Sequence, residues 1–265
     1  MSDNDSKSLD LLGVKPVGDA IKIATEGTFK GAGEFLSRIC LPAAEELGLL
    51  LRDRVSHWRA RQAARIAQLA EAKVAKFARG AVHAHPRLVF EAIDTGSWSD
   101  DDVIQDAWAG ILASSCTEDG KDDSNVVFAS LLSQLTGVQL RILNYSVEVS
   151  PKYATKTGLP YAETISIPLD KLFEISGCND TQRLDRELDH LRAFELIGTG
   201  GFGSSGGGFN MGDTLDASIS VSALALHLYV RGQGFIGSPI EFFGLTMKPA
   251  EKPAEKPAPT DATKA

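Results

Sequence analysis

The sequence predicts a mainly α-helical protein: a helical bundle with one long helix, followed by a small α+β winged-helix-like portion. Three observations predict this fold. The segment from Leu49 to Arg79 contains no Gly or Pro and keeps its apolar residues at near-helical spacing. Short amphipathic helices, each with capping residues, follow between Trp98 and Tyr145. Beyond residue 146, short helical patterns alternate with strand-like ones.

The composition is that of a soluble globular protein. Of the 265 residues, 43% are hydrophobic and 23% are charged, and the net charge of −8 argues against a protein that coats nucleic acids in general. Cys40, Cys116 and Cys178 are odd in number and widely spaced, which favours a reducing compartment over a disulfide framework or a zinc site. The most apolar stretch, Phe35 to Leu51, is interrupted by charges and should not span a bilayer. We therefore expect a cytoplasmic protein.

The chain is expected to have four parts. Residues 1–13 are polar and acidic and are predicted to be disordered, and residues 14–145 are predicted to form the helical core. Residues 146–245 are predicted to form the winged-helix-like portion. Residues 246–265 are a low-complexity repeat of Pro, Ala, Lys and Glu, which is typical of an extended, disordered tail.

The long helix is expected to run from Ala43 to Ala78, a length on the order of 50 Å. Its charge is mostly basic, whereas the section after it is mostly acidic. One interpretation is complementary charge within the fold or between subunits. The other is a basic strip for RNA or an anionic membrane surface, with these candidate contacts: Arg52, Arg54, Arg59, Arg61 and Arg65.

The helices after Trp98 carry local signals for their own start points. Ser99 and Asp102 are spaced as a capping box for the first helix, and Thr136 and Gln139 are spaced as a capping box for the third. The apolar positions of each helix fall on one face. These residues predict a packing core, and their chemistry alone indicates no reaction.

The same region resembles the abortive infection alpha (Abi-alpha) family, most strongly over residues 95–145 and in register from about 40 to 232. The residues that carry the resemblance form a structural signature: Trp98, Gln105, Trp108, Leu112, Phe128, Leu132, Leu135 and Leu143. Those proteins are helix-rich bacterial proteins linked to phage defence by their neighbouring genes. The resemblance implies abortive infection as the role and supplies no catalytic residue, cofactor or metal site. We expect a non-enzymatic mechanism through protein–protein contacts, either with a partner or by self-association.

Two alternative mechanisms stay open. Arg52 and His57 have the R-x4-6-H spacing of the HEPN ribonucleases, in which Arg could hold a phosphate and His move a proton. Residues 14–51 contain a glycine-interrupted helical stripe that could perturb a membrane. We assign no metal site to His83 and His85, because no carboxylate or Cys stands at a recurring ligand spacing near them.

The C-terminal portion has the element order of a winged helix, namely helix, short strand, flexible loop, strand and helix. The loop from Gly198 to Met211 matches the dinucleotide fingerprint in its spacing, but a strand rather than a helix is predicted after it, so we interpret it as a wing or lid. The loop contains no Lys or Arg, and the preceding helix balances Arg against Asp and Glu. We therefore expect no DNA binding by this portion.

Overall fold

The computed structural model describes residues 30–40, 54–77, 80–198 and 215–246. These ranges are mainly α-helical with a few short antiparallel strand pairs, which confirms the mainly helical fold class. The helices are α1 (residues 30–39), α2 (Arg54–Phe77), α3 (Pro86–Asp94), α4 (Asp102–Ser114), α5 (Val126–Leu132), α6 (Gly137–Val149), α7 (Leu169–Ser176), α8 (Thr181–Ala193), α9 (Ala223–Gly232) and α10 (Pro239–Phe243). The strands are β1 (His83–Ala84), β2 (Cys116–Thr117), β3 (Lys152–Ala154), β4 (Pro160–Ala162), β5 (Ile165–Pro168) and β6 (Asp216–Ile219), and a 3-10 turn covers Gly96–Trp98.

Helix α4 lies at the centre of the packing. Trp108 and Leu112 are buried on it, because its apolar positions recur around most of the helix. Helix α2 packs along one side and α9 along another, where Gly110 of α4 meets Gly232 of α9 backbone to backbone. The buried cluster extends from Ala32 in α1 to α9, so both predicted portions contribute to one core.

The long helix predicted from Ala43 to Ala78 is observed over part of its length. Helix α2 contains 24 residues, about 36 Å at 1.5 Å per residue. Residues 43–53 and Ala78 lie outside the described residues.

The strands pair two by two. β1 pairs with β2, β3 with β4, and β5 with β6, each pair antiparallel. Helices α7 and α8 lie between β5 and β6 in the chain. Ile197 forms an isolated antiparallel bridge with Val221. The strand predicted after the loop from Gly198 to Met211 is present as β6, whereas the sequence analysis did not identify the β3–β4 hairpin.

The helix starts agree in part with the predicted caps. Thr136 and Gln139 form the predicted capping box of α6. The prediction that Ser99 caps α4 is wrong, because the Asp101 side chain accepts from the backbone amides of Val103 and Ile104 instead. Ser99 accepts from the Asp101 amide and so shapes the turn before the helix.

In the described ranges, every helix is too short or too polar to cross a lipid bilayer.

Candidate functional site

A surface groove runs past the N-terminal ends of α4 and α6, and we call it the α4–α6 groove. It has two adjoining parts, which share Asp101, Thr136 and Gly137 in their walls. The first part is mainly apolar, with a volume of about 330 Å³. The second is mainly polar, with a volume of about 560 Å³. Apolar and charged surface therefore lie next to each other on either side of these shared residues.

The apolar part has a buried floor and an exposed aromatic rim. Trp108, Leu132 and Leu135 from α4, α5 and the turn after α5 form the floor and belong to the buried core. Trp98, on the rim, is 58% exposed. An exposed large aromatic residue beside a pocket is a feature of binding surfaces more than of packing cores.

Trp98 is held in place although it is exposed. The Arg59 guanidinium lies 4.2 Å from the centre of the Trp98 ring, a cation–π contact. Arg59 is itself fixed, since its side chain is only 13% exposed and donates to the Asp94 carboxylate at 2.6 Å and to Ser97 Oγ at 3.1 Å. The indole therefore projects from a braced turn, and little side-chain entropy remains to be lost when it is covered.

Asp101 joins the two parts of the groove. Its Oδ1 caps α4, and its Oδ2 accepts from the Arg141 guanidinium at 2.6 Å. Burial alone would raise the pKa of the Asp101 carboxyl, but the hydrogen bonds from Arg141 and from the Val103 amide outweigh it and lower the pKa below the usual 3.8. Asp101 is therefore a carboxylate at neutral pH and is suited to orienting Arg141.

A polar network beneath the second part ties α6 to α8. Thr136 Oγ1 donates to Glu187 Oε2 at 3.1 Å, and Gln139 Nε2 donates to the Glu187 carbonyl at 3.3 Å. Gln139 also contacts His190 Nδ1 at 2.8 Å. Glu187 is only 6% exposed, and its Oε1 accepts from Arg183 Nε at 3.4 Å. The capping box of α6 thus also fixes the polar wall of the groove.

Most of the signature residues are buried around the groove. Gln105 is fully buried, and its Nε2 donates to Gln62 Oε1 and to the Ser99 carbonyl, which attaches the turn before α4 to α2. Phe128 is partly buried and stacks near His227. Trp98 is exposed, and the others are less than a tenth exposed: Trp108, Leu112, Leu132, Leu135 and Leu143.

Several cations of α2 face the acidic section that follows it. Arg59 pairs with Asp94, as described above. Arg65 pairs with Asp102 at 2.8 Å, and Lys73 pairs with Asp106 at 3.0 Å. These pairs agree with charge complementarity within the fold.

The other candidate contacts of the basic strip differ in how they are placed. Arg61 is exposed on α2. Arg52 lies outside the described residues, and so does the side chain of Arg54. His57 of the Arg52–His57 pair is exposed near the start of α2.

The segment proposed for membrane contact is described only over residues 30–40. There α1 places its apolar face inside the core, with these residues buried: Ala32, Phe35, Leu36 and Ile39. Its charged face includes Arg38, which pairs with Glu71 of α2 at 2.9 Å. In this part the apolar stripe covers the protein's own helices.

The cysteines are placed for packing rather than chemistry. All three are buried, and burial raises the pKa of the Cys116 thiol to about 12, against a weaker opposing effect of Arg38. Among the described residues, His, Cys, Asp and Glu do not gather in groups of three or more that could hold a metal ion.

Sequence reasoning missed the groove because it forms between distant residues. Arg59 lies 39 positions before Trp98 in the chain, and Glu187 lies 51 positions after Thr136. The local signal that was available, Trp98 next to a helix start, equally fits a packing staple. The exposure of Trp98 became evident only from the fold.

The fold and this groove define a class: a mainly helical protein with a surface groove at the N-terminal ends of two helices. The chain belongs to the abortive infection alpha family, whose model matches residues 60–222. That range contains the whole α4–α6 groove. Searches among curated proteins and among solved structures gave no match. Family membership indicates abortive infection, a form of phage defence, as the setting in which the protein works.

Proposed function

We propose that this protein acts in the bacterial cytoplasm, in abortive infection, by binding a protein partner in the α4–α6 groove and without catalysing a reaction. The observation that carries this proposal is Trp98, which is 58% exposed at the groove and yet braced by Arg59. Binding hot spots are enriched in Trp and Arg and lie beside pockets that exclude water. Trp98 and the Arg59 guanidinium beside it supply these two residue types, and the apolar part of the groove supplies the adjacent pocket.

The shape of the groove favours a protein segment over a small molecule. Small-molecule sites enclose most of their ligand. Here the walls are largely accessible, since Trp98 and Thr136 are exposed on one part and Glu174 and Arg183 on the other. A segment that lies along the surface can contact both parts at once.

The ionisable groups of the groove support binding more than catalysis. Asp101 pairs with Arg141, Glu174 with Lys171, and Arg183 with Glu187. A general acid or base needs a pKa near the working pH. The pKa of Asp101 is instead shifted downward, away from neutrality.

Phage-challenge plating of cells that express Trp98→Ala tests the proposal. We expect protection to fall to the level of cells without the gene. Phe90→Ala is the matched control, because Phe90 is 55% exposed on α3 and does not line the groove. Both variants remove an exposed aromatic side chain, so both should fold normally. Full protection by Trp98→Ala would refute the proposal.

The same assay separates the enzymatic alternative. The double variant Arg52→Ala/His57→Ala removes the candidate ribonuclease pair. Under our proposal it keeps full protection, and purified protein leaves RNA intact. Loss of protection together with loss of RNA cleavage would replace our proposal with the HEPN-like mechanism.

We also propose that residues 146–245 form a winged-helix-like unit that does not bind DNA. Its support is the β5–β6 pairing around α7 and α8, together with the bridge between Ile197 and Val221. On α8, Arg183 and Arg192 pair with acids of the same helix, which leaves less cationic charge for phosphates. Fluorescence anisotropy with a labelled random duplex at low salt tests this, and salt-dependent binding would contradict it.

A further inference from the structure

We propose that the proline-rich C-terminal segment docks on the outer face of the β3–β4 hairpin, where residues 249–253 cover the rings of Tyr153 and Tyr161. The hairpin is thereby a recognition surface for a polyproline II segment, and its occupant is part of the same chain. This face lies outside the α4–α6 groove, so the inference does not depend on the proposed function.

The hairpin has one buried face and one aromatic face. Ala154 and Ala162 are 6% and 1% exposed and point into the protein. Because successive residues of a strand point to opposite faces, Tyr153 and Tyr161 lie on the outer face, directly opposite each other, with ring centres 4.9 Å apart. Tyr161 is 45% exposed, and Leu159, on the same face by its spacing, is 61% exposed. Large exposed side chains gathered in this way indicate a surface that another segment covers.

The chain leaves the described part of the protein beside this face. The Ala154 amide donates to the Thr246 carbonyl at 3.0 Å. The next amide, that of Thr155, donates across the hairpin to the Leu159 carbonyl at 2.8 Å. Because the backbone groups of successive strand residues point to opposite sides, the Ala154 amide faces away from β4. Thr246 therefore lies along the free edge of β3, and the residues that follow it start at the hairpin.

The distance to the aromatic face is within reach of the first proline. Lys152 Nζ lies 4.9 Å from the centre of the Phe243 ring, so the chain after α10 runs alongside β3 toward the turn of the hairpin. Neighbouring strands are about 4.8 Å apart, which places Tyr161 about 10 Å from Thr246. Pro249 follows Thr246 by three residues, which span about 9 Å in an extended polyproline conformation.

The composition of the segment suits an aromatic surface. Its sequence repeats Lys-Pro-Ala from Lys248, Lys252 and Lys256. The proline ring fixes one backbone dihedral, so such a segment is already extended and loses little entropy when it binds. Packing of proline rings on surfaces lined by aromatic residues is a recurring mode of peptide recognition. Attachment to the same chain supplies an effective concentration on the order of millimolar, so even a weak contact is populated.

Digestion of the full chain with the protease Glu-C, which cleaves after Glu, tests this inference. Docking protects the bond after Glu251, which lies within the covering residues. We expect cleavage there to be about fivefold faster in Tyr153→Ala/Tyr161→Ala than in the unchanged protein. The matched control is Phe90→Ala, which removes an aromatic side chain of similar exposure from α3 and should be cleaved at the unchanged rate.

A second measurement leaves the hairpin unchanged. In Pro249→Ala/Pro253→Ala, oxidation of Tyr161 by hydroxyl radicals, followed by mass spectrometry, should rise about twofold because the docked population falls. The control is Thr260→Ala/Thr263→Ala, which alters the same segment beyond the covering residues and should leave the oxidation of Tyr161 as it is.

The results that would overturn the inference are specific to each measurement. Equal cleavage after Glu251 in the unchanged protein and in the tyrosine variant would show that the face does not hold the segment. Equal oxidation of Tyr161 in the two proline and threonine variants would show the same from the other side. Protection that grows with protein concentration would place the segment on a second copy of the chain and would overturn docking within one chain.

Discussion

Replacing Gly110 by Ala should separate two helices that the fold requires to touch. A Cβ atom on Gly110 would lie 1.6 Å from the Gly232 carbonyl oxygen and 2.6 Å from the Gly232 Cα. Normal contact needs about 3.5 Å, so α9 must withdraw from α4 by about 2 Å. Both contacted atoms belong to backbone, so a change of side-chain rotamer cannot relieve the clash.

The expected loss of stability follows from three effects. Overpacking costs about 1–3 kcal/mol. The withdrawal of α9 also strains the hydrogen bond from Lys73 Nζ to the Gly232 carbonyl, 3.3 Å long, and a bond from a charged donor contributes about 1.5–3 kcal/mol. The helix preference of Ala over Gly offsets about 1 kcal/mol. We expect a net loss of about 3 kcal/mol.

Urea unfolding followed by circular dichroism measures this loss. The control is Gly232→Ala, because a Cβ at Gly232 meets only Ala107 at 3.9 Å, an ordinary contact. That variant should stay within about 0.5 kcal/mol of the unchanged protein or gain slightly. Equal midpoints for the two variants would refute the close approach of α4 and α9 described above.

Three further predictions concern individual side chains. Asp101→Asn keeps the cap but removes the ion pair with Arg141, and it should lower the free energy of unfolding by about 1 kcal/mol after allowance for solvent screening. Because the pKa of Asp101 is lowered in the folded state, this stabilisation is present above about pH 4 and is lost as the pH falls through the folded pKa. Thermal melts of the two proteins should therefore converge in acid, and a constant difference in melting temperature would contradict us. Lys152→Met leaves the carbonyl of Val147 in α6 and that of Ser150, the residue after α6, without their ammonium donor, and it should cost about 1 kcal/mol in urea unfolding. An unchanged midpoint would contradict this role. The Cys116 thiol, with a pKa raised by burial to about 12, should react with a thiol reagent such as DTNB only as the protein unfolds, and rapid labelling of the native chain would contradict its burial.

The local part of the fold was predictable because its causes lie within a few residues. The capping box of α6 needs only Thr136 and Gln139, which are three residues apart. Helix α10 was missed although Ser238 and Glu241 offer the same signal and Gly244 ends the helix in the left-handed conformation. Its five residues are too few to produce a periodic pattern.

Other features depend on partners that are distant in the chain. Three successive acidic residues, Asp100 to Asp102, stand at the start of α4, and the sequence does not show which one caps the helix. In the structure Asp101 is the cap, and its second carboxylate oxygen accepts from Arg141, 40 positions later in the chain. The β3–β4 hairpin has strands of only three residues, and its Tyr153–Tyr161 pair becomes evident once the strands are aligned. The burial of Glu187 likewise depends on α6 rather than on its own charged helix.

The meeting of Gly110 and Gly232 has a consequence for synthesis of the chain. Helix α4 leaves the ribosome more than a hundred residues before α9, and domains fold as their segments emerge. One face of α4 therefore waits, uncovered, until translation has passed residue 232. A nascent chain halted before that point presents an incomplete core to chaperones and proteases.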